Sequence, residues 1–329
     1  MMNLEALFND FKKIKIAVVG DVMLDTYWWG HVDRISPEAP VPVVAVDKRE
    51  YRIGGAGNVA LNTVALGAET FIISVIGADI DGETLTNLYQ QQQINTNYLI
   101  AAPDRITTNK IRIISKNQQM LRLDAEITKD ISSDLEKQLI QKVQQCIVDN
   151  KPDVLIFEDY NKGILTPNII GQLIAICKAN NIITTVDPKR KNFFSYVGVT
   201  IFKPNLKEVK EGLNMLLETV NQTTLSDIHV QLQAQLQHQI SFITLSEKGV
   251  FYKDGFNSKI IPTHIRSIAD VSGAGDTVIA VASLVYATTG NMHLAAEMAN
   301  IAGGLVCEEV GTAAIDKHKL LKECVLLLG

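Results

Sequence analysis

Short apolar segments alternate with helical segments along most of this chain, and that alternation constrains the possible folds more than any other feature. The runs Lys15–Gly20 (KIAVVG) and Val154–Glu158 (VLIFE) are almost continuously apolar, as expected of strands that are buried on both faces. Segments with helical spacing of apolar residues lie at Ser132–Val148 and Pro167–Ala179. The repeated strand–helix order predicts an α/β fold with a mostly parallel central sheet, flanked by helices on both faces.

A second, smaller sheet is predicted from segments in which apolar and polar residues alternate. Thr107–Ser115 and Gln119–Asp124 alternate in this way around Lys116-Asn117, which predicts a hairpin with one exposed face. The β-branched segment Val41–Val46 supplies a further strand. We expect the strands of this small sheet to lie within residues 25–50 and 98–124. Since the sequence contains no linker or low-complexity tract, residues 1–329 are expected to form a single domain.

Composition argues against several classes of function. The net charge of −5 leaves no broad positive surface for nucleic acid or for an anionic membrane. The four cysteines form no CxxC pair and indicate thiols in a reducing compartment. The first residues lack the apolar core of a signal peptide, and the apolar run Val278–Ala287 is too short to span a bilayer. We therefore expect a soluble, cytoplasmic protein.

The segment 270–276 (DVSGAGD) is a small-residue turn that leads directly into an apolar helix. Free N–H groups at a helix start form an anion site, and Gly273 and Gly275 would let that backbone approach a ligand closely. The carboxylate of Asp276 would repel a phosphate there, but it could remove a proton from a hydroxyl that attacks the phosphate. The alternative is that Asp276 only complements the helix dipole.

The segment 54–60 (GGAGNVA) also opens a helix after a strand. Read from Gly55 it matches the dinucleotide fingerprint GxGxxA, with Asp79 at roughly the distance expected of a ribose carboxylate. A glycine turn against a sugar fits equally well, because Asn58 can both donate and accept hydrogen bonds. A tight helix entry without a ligand is the third interpretation.

Two further polar segments follow predicted strands. Asn205 and Glu208 have the spacing of a capping box, and the functional alternative is that Glu208 holds a hydrated Mg²⁺. The basic segment 187–191 (DPKRK) could receive a phosphate through Lys189 and Arg190, or it could be a solvated turn. If the substrate already carries a phosphate, Lys189 and Arg190 are the residues expected to bind it.

Taken together, these motifs resemble the ribokinase-like (PfkB-type) family of sugar kinases. The segment 54–60 is similar to the family's sugar-side motif, 270–276 to its DTxGAGD motif, and 205–208 (NLKE) to its NxxE motif near Mg-ATP. The motifs stand in the family's order, and the resemblance covers nearly the whole chain. Val271 and Ser272 depart mildly from the usual middle residues. The resemblance implies a ribokinase-like fold with a small β-sheet lid.

Within this family the sequence is most similar to kinases of D-glycero-β-D-manno-heptose 7-phosphate. The similar stretches are GDVMLDTYWWGHVDRISPEAPVPVV (20–44), EDYNKG (158–163), DPKR (187–190), KPNLKE (203–208) and SEKG (246–249). Glu158 stands where many relatives have Ser, and DPKR differs from the DPKG of some relatives. The resemblance implies ATP-dependent phosphorylation at O1, giving the 1,7-bisphosphate for ADP-heptose and lipopolysaccharide core synthesis. Because no HxGH motif of a fused nucleotidyltransferase is present, we expect a stand-alone kinase.

The resemblance also implies roles for individual residues. Asp276 is implied to be the catalytic base, beside an anion hole at Gly273, Ala274 and Gly275. The other implied positions are Asn205 and Glu208 at ATP and Mg²⁺, with Glu208 acting through water; Ser246, Lys248 and Gly249 at the nucleotide; Asp25, Gly54, Gly55 and Asn58 at sugar hydroxyls; and Asp270 and Ser272 where some relatives ligate a monovalent cation such as K⁺. The lid is expected to close over the sugar and to pair across a homodimer.

Three rival functions stay open on the sequence. The first is a kinase of the same family that acts on another sugar or sugar phosphate. The second is a protein that binds a nucleotide or sugar as a sensor without turnover. The third is a dinucleotide oxidoreductase built on Gly55–Ala60.

Overall fold

The computed structural model describes residues 3–116, 118–255, 257–264 and 266–329, which form a large central sheet, helices on both of its faces and a smaller sheet. The strands are β1 (Lys15–Gly20), β2 (Val22–Ile35), β3 (Pro42–Gly55), β4 (Glu69–Gly77), β5 (Asn95–Ala102), β6 (Asn109–Ser115), β7 (Gln118–Ala125), β8 (Val154–Glu158), β9 (Ile183–Asp187), β10 (Ile201–Phe202), β11 (Ile240–Thr244), β12 (Val250–Lys253) and β13 (Ser258–Ile261). The helices are α1 (Leu4–Asp10), α2 (Ala56–Leu66), α3 (Ile80–Gln91), α4 (Ser133–Asn150), α5 (Pro167–Ala179), α6 (Leu206–Gly212), α7 (Gln222–Leu236), α8 (Ala274–Thr289), α9 (Met292–Val306) and α10 (Lys317–Leu328).

The central sheet has the strand order β13-β12-β11-β10-β9-β8-β1-β4-β5. All neighbours from β11 to β5 pair in parallel, whereas β12 and β13 are antiparallel additions at one edge. The predicted α/β fold with a mostly parallel sheet is confirmed. Because parallel strands end at the same edge of a sheet, the residues that follow β1, β8, β9 and β10 meet there.

Helices cover both faces of the central sheet, and the side chains of β1 pack against helices on each face. Ile16 and Val18 pack into one hydrophobic core with residues of α2, α8 and α9, while Ala17 and Val19 pack into another with residues of α4, α5 and α7. Alternate side chains of a strand point to opposite faces, so a continuous apolar run is needed when both faces are buried. None of the helices among the described residues combines the length and apolarity needed to cross a membrane.

The smaller sheet has the order β3-β2-β6-β7, and we call it the lid. Its presence was predicted, but β2 was not, and the predicted strand Val41–Val46 is only the beginning of the longer β3. Charged and aromatic residues lie on both faces of β2, so its sequence does not show the alternation of apolar and polar residues that predicts a strand. The strand is defined instead by its pairing with β3 and β6. Residue 117, at the predicted hairpin turn, lies outside the described residues.

Candidate active site

Asp276 lies in the first turn of α8, as the turn-to-helix pattern of the sequence predicted. The helix begins after Gly273, whose φ of 79° is a left-handed conformation that favours glycine. A Cβ at Gly273 would also lie 2.7 Å from the Asn58 Nδ2 atom, so glycine is required there for space as well. The side chain of Asp276 points inward, and the residue is 3% exposed.

Both carboxylate oxygens of Asp276 accept hydrogen bonds from distant parts of the chain. Asn58 Nδ2 donates to Oδ2 at 2.8 Å, and the hydroxyl of Tyr160 donates to Oδ1 at 2.7 Å. Burial raises the pKa of Asp276 to about 6, the negative charge of Asp187 adds to this, and the two hydrogen bonds oppose it. The result is a carboxylate of fixed orientation that is a stronger base than an exposed aspartate.

Tyr160 is held in place by Asp21, which follows β1. The buried carboxylate of Asp21 accepts backbone N–H bonds from Tyr160 at 2.8 Å, from Lys162 at 3.0 Å and from Ile164 at 3.1 Å. These bonds fold the loop after β8 across the carboxyl ends of the strands. No local sequence pattern predicts this contact, since it joins residues that are 139 positions apart.

The lid contributes Asp25, which is 3% exposed. Arg112 on β6 donates to Asp25 Oδ1 at 2.6 Å. A Cβ at Gly54 would lie 2.4 Å from Asp25 Oδ2, and Gly55 has a φ of 60° at the start of α2. The structure therefore places Asp25 beside Gly54, and it places Asn58, in the first turn of the helix that follows Gly55, in contact with Asp276.

Asp276 also belongs to a group of three buried carboxylates. Glu158, Asp187 and Asp276 each place one carboxylate oxygen within 4.8 Å of the others, and all three residues are buried. The ammonium of Lys203, itself 2% exposed, lies 2.8 Å from Asp187 Oδ2. Neither oxygen of Glu158 has a hydrogen-bond partner within the described residues. Burial, followed by the charges of Asp187 and Asp276, raises the pKa of Glu158 well above its ordinary value.

Asn205 and Glu208 form a capping box at the start of α6. Glu208 N–H donates to Asn205 Oδ1 at 2.9 Å, and Asn205 N–H donates to Glu208 Oε2 at 2.8 Å. The other oxygen of Glu208 lies 2.8 Å from the ammonium of Lys189, which is also 3.5 Å from Asp187. Lys189 thus lies between Glu208 and the group of Glu158, Asp187 and Asp276. Arg190 is exposed at the start of a 3₁₀ turn.

The other predicted nucleotide residues lie beyond β11. Ser246 and Lys248 are exposed in a 3₁₀ turn, and Ser246 has a φ of 57°. Asn205 forms a β-bridge with Thr244, which places this turn beside the start of α6. Packing alone requires glycine at position 249, because a Cβ there would lie 2.0 Å from the carbonyl oxygen of Ile261.

Asp270 and Ser272 form a compact turn that precedes α8. Asp270 Oδ1 accepts hydrogen bonds from the Ser272 N–H at 2.9 Å and from its hydroxyl at 2.8 Å, and Oδ2 accepts from Gly311 N–H at 2.9 Å. Although partial burial opposes ionisation, these hydrogen bonds hold the pKa of Asp270 below its ordinary value. The turn therefore presents ionised carboxylate oxygens close to the helix start.

The chain is similar to known carbohydrate kinases. Residues 13–319 match a family described as pfkB family carbohydrate kinase. The chain is 36% identical to the bifunctional protein HldE of Geobacter metallireducens over 321 residues, which cover 97% of this chain and 64% of that protein. It is 40% identical to the HldE protein of Aliarcobacter butzleri over 302 residues, which cover 92% of this chain and 62% of that protein. The chain thus spans less than two thirds of the length of these curated relatives.

Solved structures share the fold at low sequence identity. Phosphofructokinase-2 of Escherichia coli in complex with potassium superposes with a TM-score of 0.79 at 18% identity, covering 96% of this chain and all of that one. Ribokinase of Arabidopsis thaliana, complexed with ribose and ATP, gives a TM-score of 0.72 at 16% identity, covering 94% and 99% of the two chains. The predicted ribokinase-like fold is confirmed.

The dinucleotide interpretation of Gly55–Ala60 is wrong. The family match contradicts it, and so does the local structure, because β3 before this segment belongs to the lid rather than to the parallel sheet. Asp79 caps α3 and accepts hydrogen bonds from Gly82 N–H and from the Thr107 N–H and hydroxyl. The carboxylate of Asp79 therefore has a structural role, because it joins the start of α3 to Thr107.

Proposed function

The chain belongs to the pfkB family of ATP-dependent carbohydrate kinases, and on that premise we propose that it phosphorylates O1 of D-glycero-β-D-manno-heptose 7-phosphate. The product would be the 1,7-bisphosphate, an intermediate for ADP-heptose and lipopolysaccharide core synthesis. The observation that carries the kinase chemistry is the buried Asp276 at the start of α8, oriented by Asn58 and Tyr160. The choice of sugar is supported by the curated HldE relatives, which match this chain over nearly its whole length.

In the proposed reaction Asp276 removes the proton from the anomeric hydroxyl, and the resulting oxygen attacks the γ-phosphorus of ATP in line. The O1–P bond forms as the bond to the β–γ bridging oxygen breaks, and ADP leaves. The N–H groups of Gly273 and Gly275 are proposed to stabilise the developing negative charge at the helix start, where the helix dipole also favours an anion. The N–H of Ala274, which the resemblance also placed in the anion hole, donates instead to the carbonyl of Val271 at 3.3 Å. A pKa near 6 leaves Asp276 mostly ionised at neutral pH and able to accept the proton.

The nucleotide is proposed to lie along the start of α6 and the turn after β11. Asn205 and Glu208 would be near the phosphates, and Ser246, Lys248 and Gly249 near the remainder of ATP. The carboxylate oxygens of Glu208 and Asp187 are the hard ligands that Mg²⁺ prefers, which fits a hydrated ion there. When bound, Mg²⁺ would neutralise charge on the phosphates.

The sugar is proposed to bind between the lid and α2, with Asp25, Asn58 and the backbone at Gly54 and Gly55 contacting its hydroxyls. The close approach of Gly54 to Asp25 supports a site from which side-chain bulk is excluded. Closure of the lid would exclude water that could otherwise hydrolyse ATP. It stays a prediction that Lys189 and Arg190 bind the 7-phosphate. We also propose that a K⁺ ion binds near Asp270 and Ser272, which the low pKa of the Asp270 carboxyl supports.

Turnover of a sugar panel tests the proposed function. ADP release would be measured with heptose 7-phosphate, the same heptose without its phosphate, fructose 6-phosphate and ribose, with an Asp276→Asn preparation as the control for contaminating kinases. We expect the highest kcat/KM for heptose 7-phosphate, and ³¹P NMR should locate the new phosphate at the anomeric oxygen. A preference for another sugar would replace the substrate but keep the kinase. Binding of sugar and ATP without turnover would favour the sensor.

A further inference from the structure

Lys110 is a half-buried lysine on the inner side of the lid whose charge is not paired at short range. It stands on β6, opposite Asp25 on β2 and Asp124 on β7. Asp25 is bound at 2.6 Å by Arg112, and Asp124 at 2.8 Å by Arg122. Within the described part of the chain, no carboxylate lies within ion-pair distance of the Lys110 ammonium, which instead lies 5.8 Å from the centre of the Tyr160 ring.

A second lysine, Lys162 of the loop after β8, reaches the same part of the lid, because its ion-pair partner Glu126 lies two residues after Asp124, which pairs with Lys110 across β6 and β7. The backbone of Lys162 is fixed by its N–H bond to Asp21 and by the bond that its carbonyl accepts from Arg105. Its ammonium lies 2.6 Å from Glu126, and its side chain is 14% exposed. Burial lowers the pKa of Lys110, and the positive charge of Lys162 lowers it further. Two ammonium groups are thus held close together, with only one of them paired to a carboxylate at short range.

Tyr160 connects Lys110 with the reacting end of the site. The hydroxyl of Tyr160 binds Asp276, and the ring of the same residue faces Lys110, so one tyrosine side chain separates the proposed base from the lysine. The pair is on the lid side of Tyr160, where the sugar is proposed to bind.

We propose that Lys110 and Lys162 form the receptor for the phosphate group that the acceptor sugar already carries. The inference rests on the proposed function, in that it places O1 of a phosphorylated sugar at Asp276. A phosphate dianion would supply the negative charge that Lys110 lacks, and ammonium–phosphate hydrogen bonds are among the stronger polar contacts. Lys189 is the competing receptor, because its ammonium also lies 5.5 Å from the centre of the Tyr160 ring. It is held by two carboxylates, those of Glu208 and Asp187, whereas within the described residues Lys162 has one carboxylate at ion-pair distance and Lys110 has none.

Lysine-to-methionine variants test this assignment, because methionine keeps most of the apolar stem and removes the charge. Lys110→Met and Lys162→Met should each raise the KM for heptose 7-phosphate by about tenfold or more, with the KM for ATP unchanged. With the unphosphorylated heptose, these variants and the unmodified protein should have the same kcat/KM. Lys137→Met, on the exposed side of α4, is the matched control and should change neither KM.

Calorimetric titration of the nucleotide-free protein with heptose 7-phosphate gives a readout that does not depend on turnover. We expect weaker binding for Lys110→Met and Lys162→Met, and a smaller loss of affinity for Lys189→Met, the lysine that the sequence predicted to bind this phosphate. Loss of affinity in Lys189→Met alone would overturn the proposal. If the protein turns over another sugar phosphate instead, the proposed substrate is wrong and the same variants are tested on that compound. If it prefers only sugars that carry no phosphate, the receptor itself is wrong.

Discussion

Asn58 donates a 2.8 Å hydrogen bond to Asp276 Oδ2, and this bond joins two sequence motifs that are 218 residues apart. Asn58 lies in the first turn of α2 and Asp276 in the first turn of α8, so two helix starts converge on one point. The bond leaves a fixed carboxylate between the lid and the carboxyl edge of the central sheet. The pairing of these motifs is the geometric basis for assigning Asp276 as the base.

Replacing Asp276 by Asn should abolish most turnover while the protein stays folded. The amide keeps the shape of the side chain and can still bond to Asn58 and Tyr160, but it cannot accept a proton. The kcat for ADP release should fall at least ~10²-fold, the lower end for a lost general base. ATP affinity by calorimetry should persist or increase, because a negative charge beside the γ-phosphate is removed. Near-normal kcat in the folded variant would contradict the assignment of the base.

The acid limb of the pH–rate profile should follow Asp276. Because the pKa of this group is raised to about 6, kcat/KM should fall as pH decreases through about 6, when the base becomes protonated. Tyr160→Phe removes a hydrogen bond that stabilises the ionised form, so its acid limb should move to higher pH. The profile of Tyr98→Phe, far from the site on β5, should coincide with that of the unmodified protein. Identical profiles for Tyr160→Phe and the unmodified protein would exclude Asp276 as the titrating group.

Sequence reasoning found the local parts of this site because each part is a local pattern. The turn at 270–276, the glycine turn at 54–60 and the capping box at Asn205 and Glu208 all depend on neighbours a few residues away. The central strands were predictable for the same reason, since burial on both faces produces a continuous apolar run.

The remaining parts depend on contacts between distant segments. Tyr160 reaches Asp276 only because Asp21 folds the loop after β8, and Lys203 is buried beside Asp187 by the pairing of β9 with β10. A single sequence carries no signal for such contacts. Lys189 illustrates the limit, because its position beside the strand end was predicted but its pairing with Glu208 was not.

Glu208→Gln should separate capping from metal binding. Gln also fits the capping box, so the midpoint of thermal unfolding should change little, whereas complete loss of a cap costs about 0.5–2 kcal/mol. If Glu208 helps to hold Mg²⁺, activity should fall and half-maximal activity should require more Mg²⁺. Asn221→Ala, at the other capping box on α7, is the control that loses a cap away from the site. Full activity with an unchanged Mg²⁺ dependence would leave Glu208 a purely structural residue.

The outer surface of the lid should mediate a homodimer. Exposed apolar side chains are concentrated there, including Leu121 at 52% and Ile35 at 61% exposure. Leu121→Glu should therefore shift the mass measured by light scattering from dimer to monomer. Leu216→Glu introduces the same charge at a residue that is 97% exposed outside the lid, and its mass should be unchanged. A monomeric unmodified protein, or a dimer that tolerates Leu121→Glu, would contradict the prediction.

Glu158→Gln should make the protein more stable, increasingly so as pH rises. The pKa of Glu158 is raised well above its ordinary value of 4.5, first by burial and then by the negative charges of Asp187 and Asp276. The unfolded chain therefore loses this proton at lower pH than the folded protein does. The contribution of the carboxyl group to stability is complete below about 4.5 and is lost as pH rises toward the folded pKa, by at most roughly 1.4 kcal/mol per pH unit. Gln has a similar shape and does not ionise, so it removes this loss.

Urea unfolding at pH 5, 6, 7 and 8 measures the effect directly. The difference in free energy of unfolding between Glu158→Gln and the unmodified protein should be small at pH 5 and should grow steadily to pH 8. Glu136→Gln, which also replaces a glutamate that accepts hydrogen bonds but lies on the exposed side of α4, should show no such growth. A constant difference across the pH range would mean that Glu158 is ionised in the folded protein throughout. In that case the positive charges of Lys203 and Lys189 would have to stabilise three neighbouring carboxylates at once.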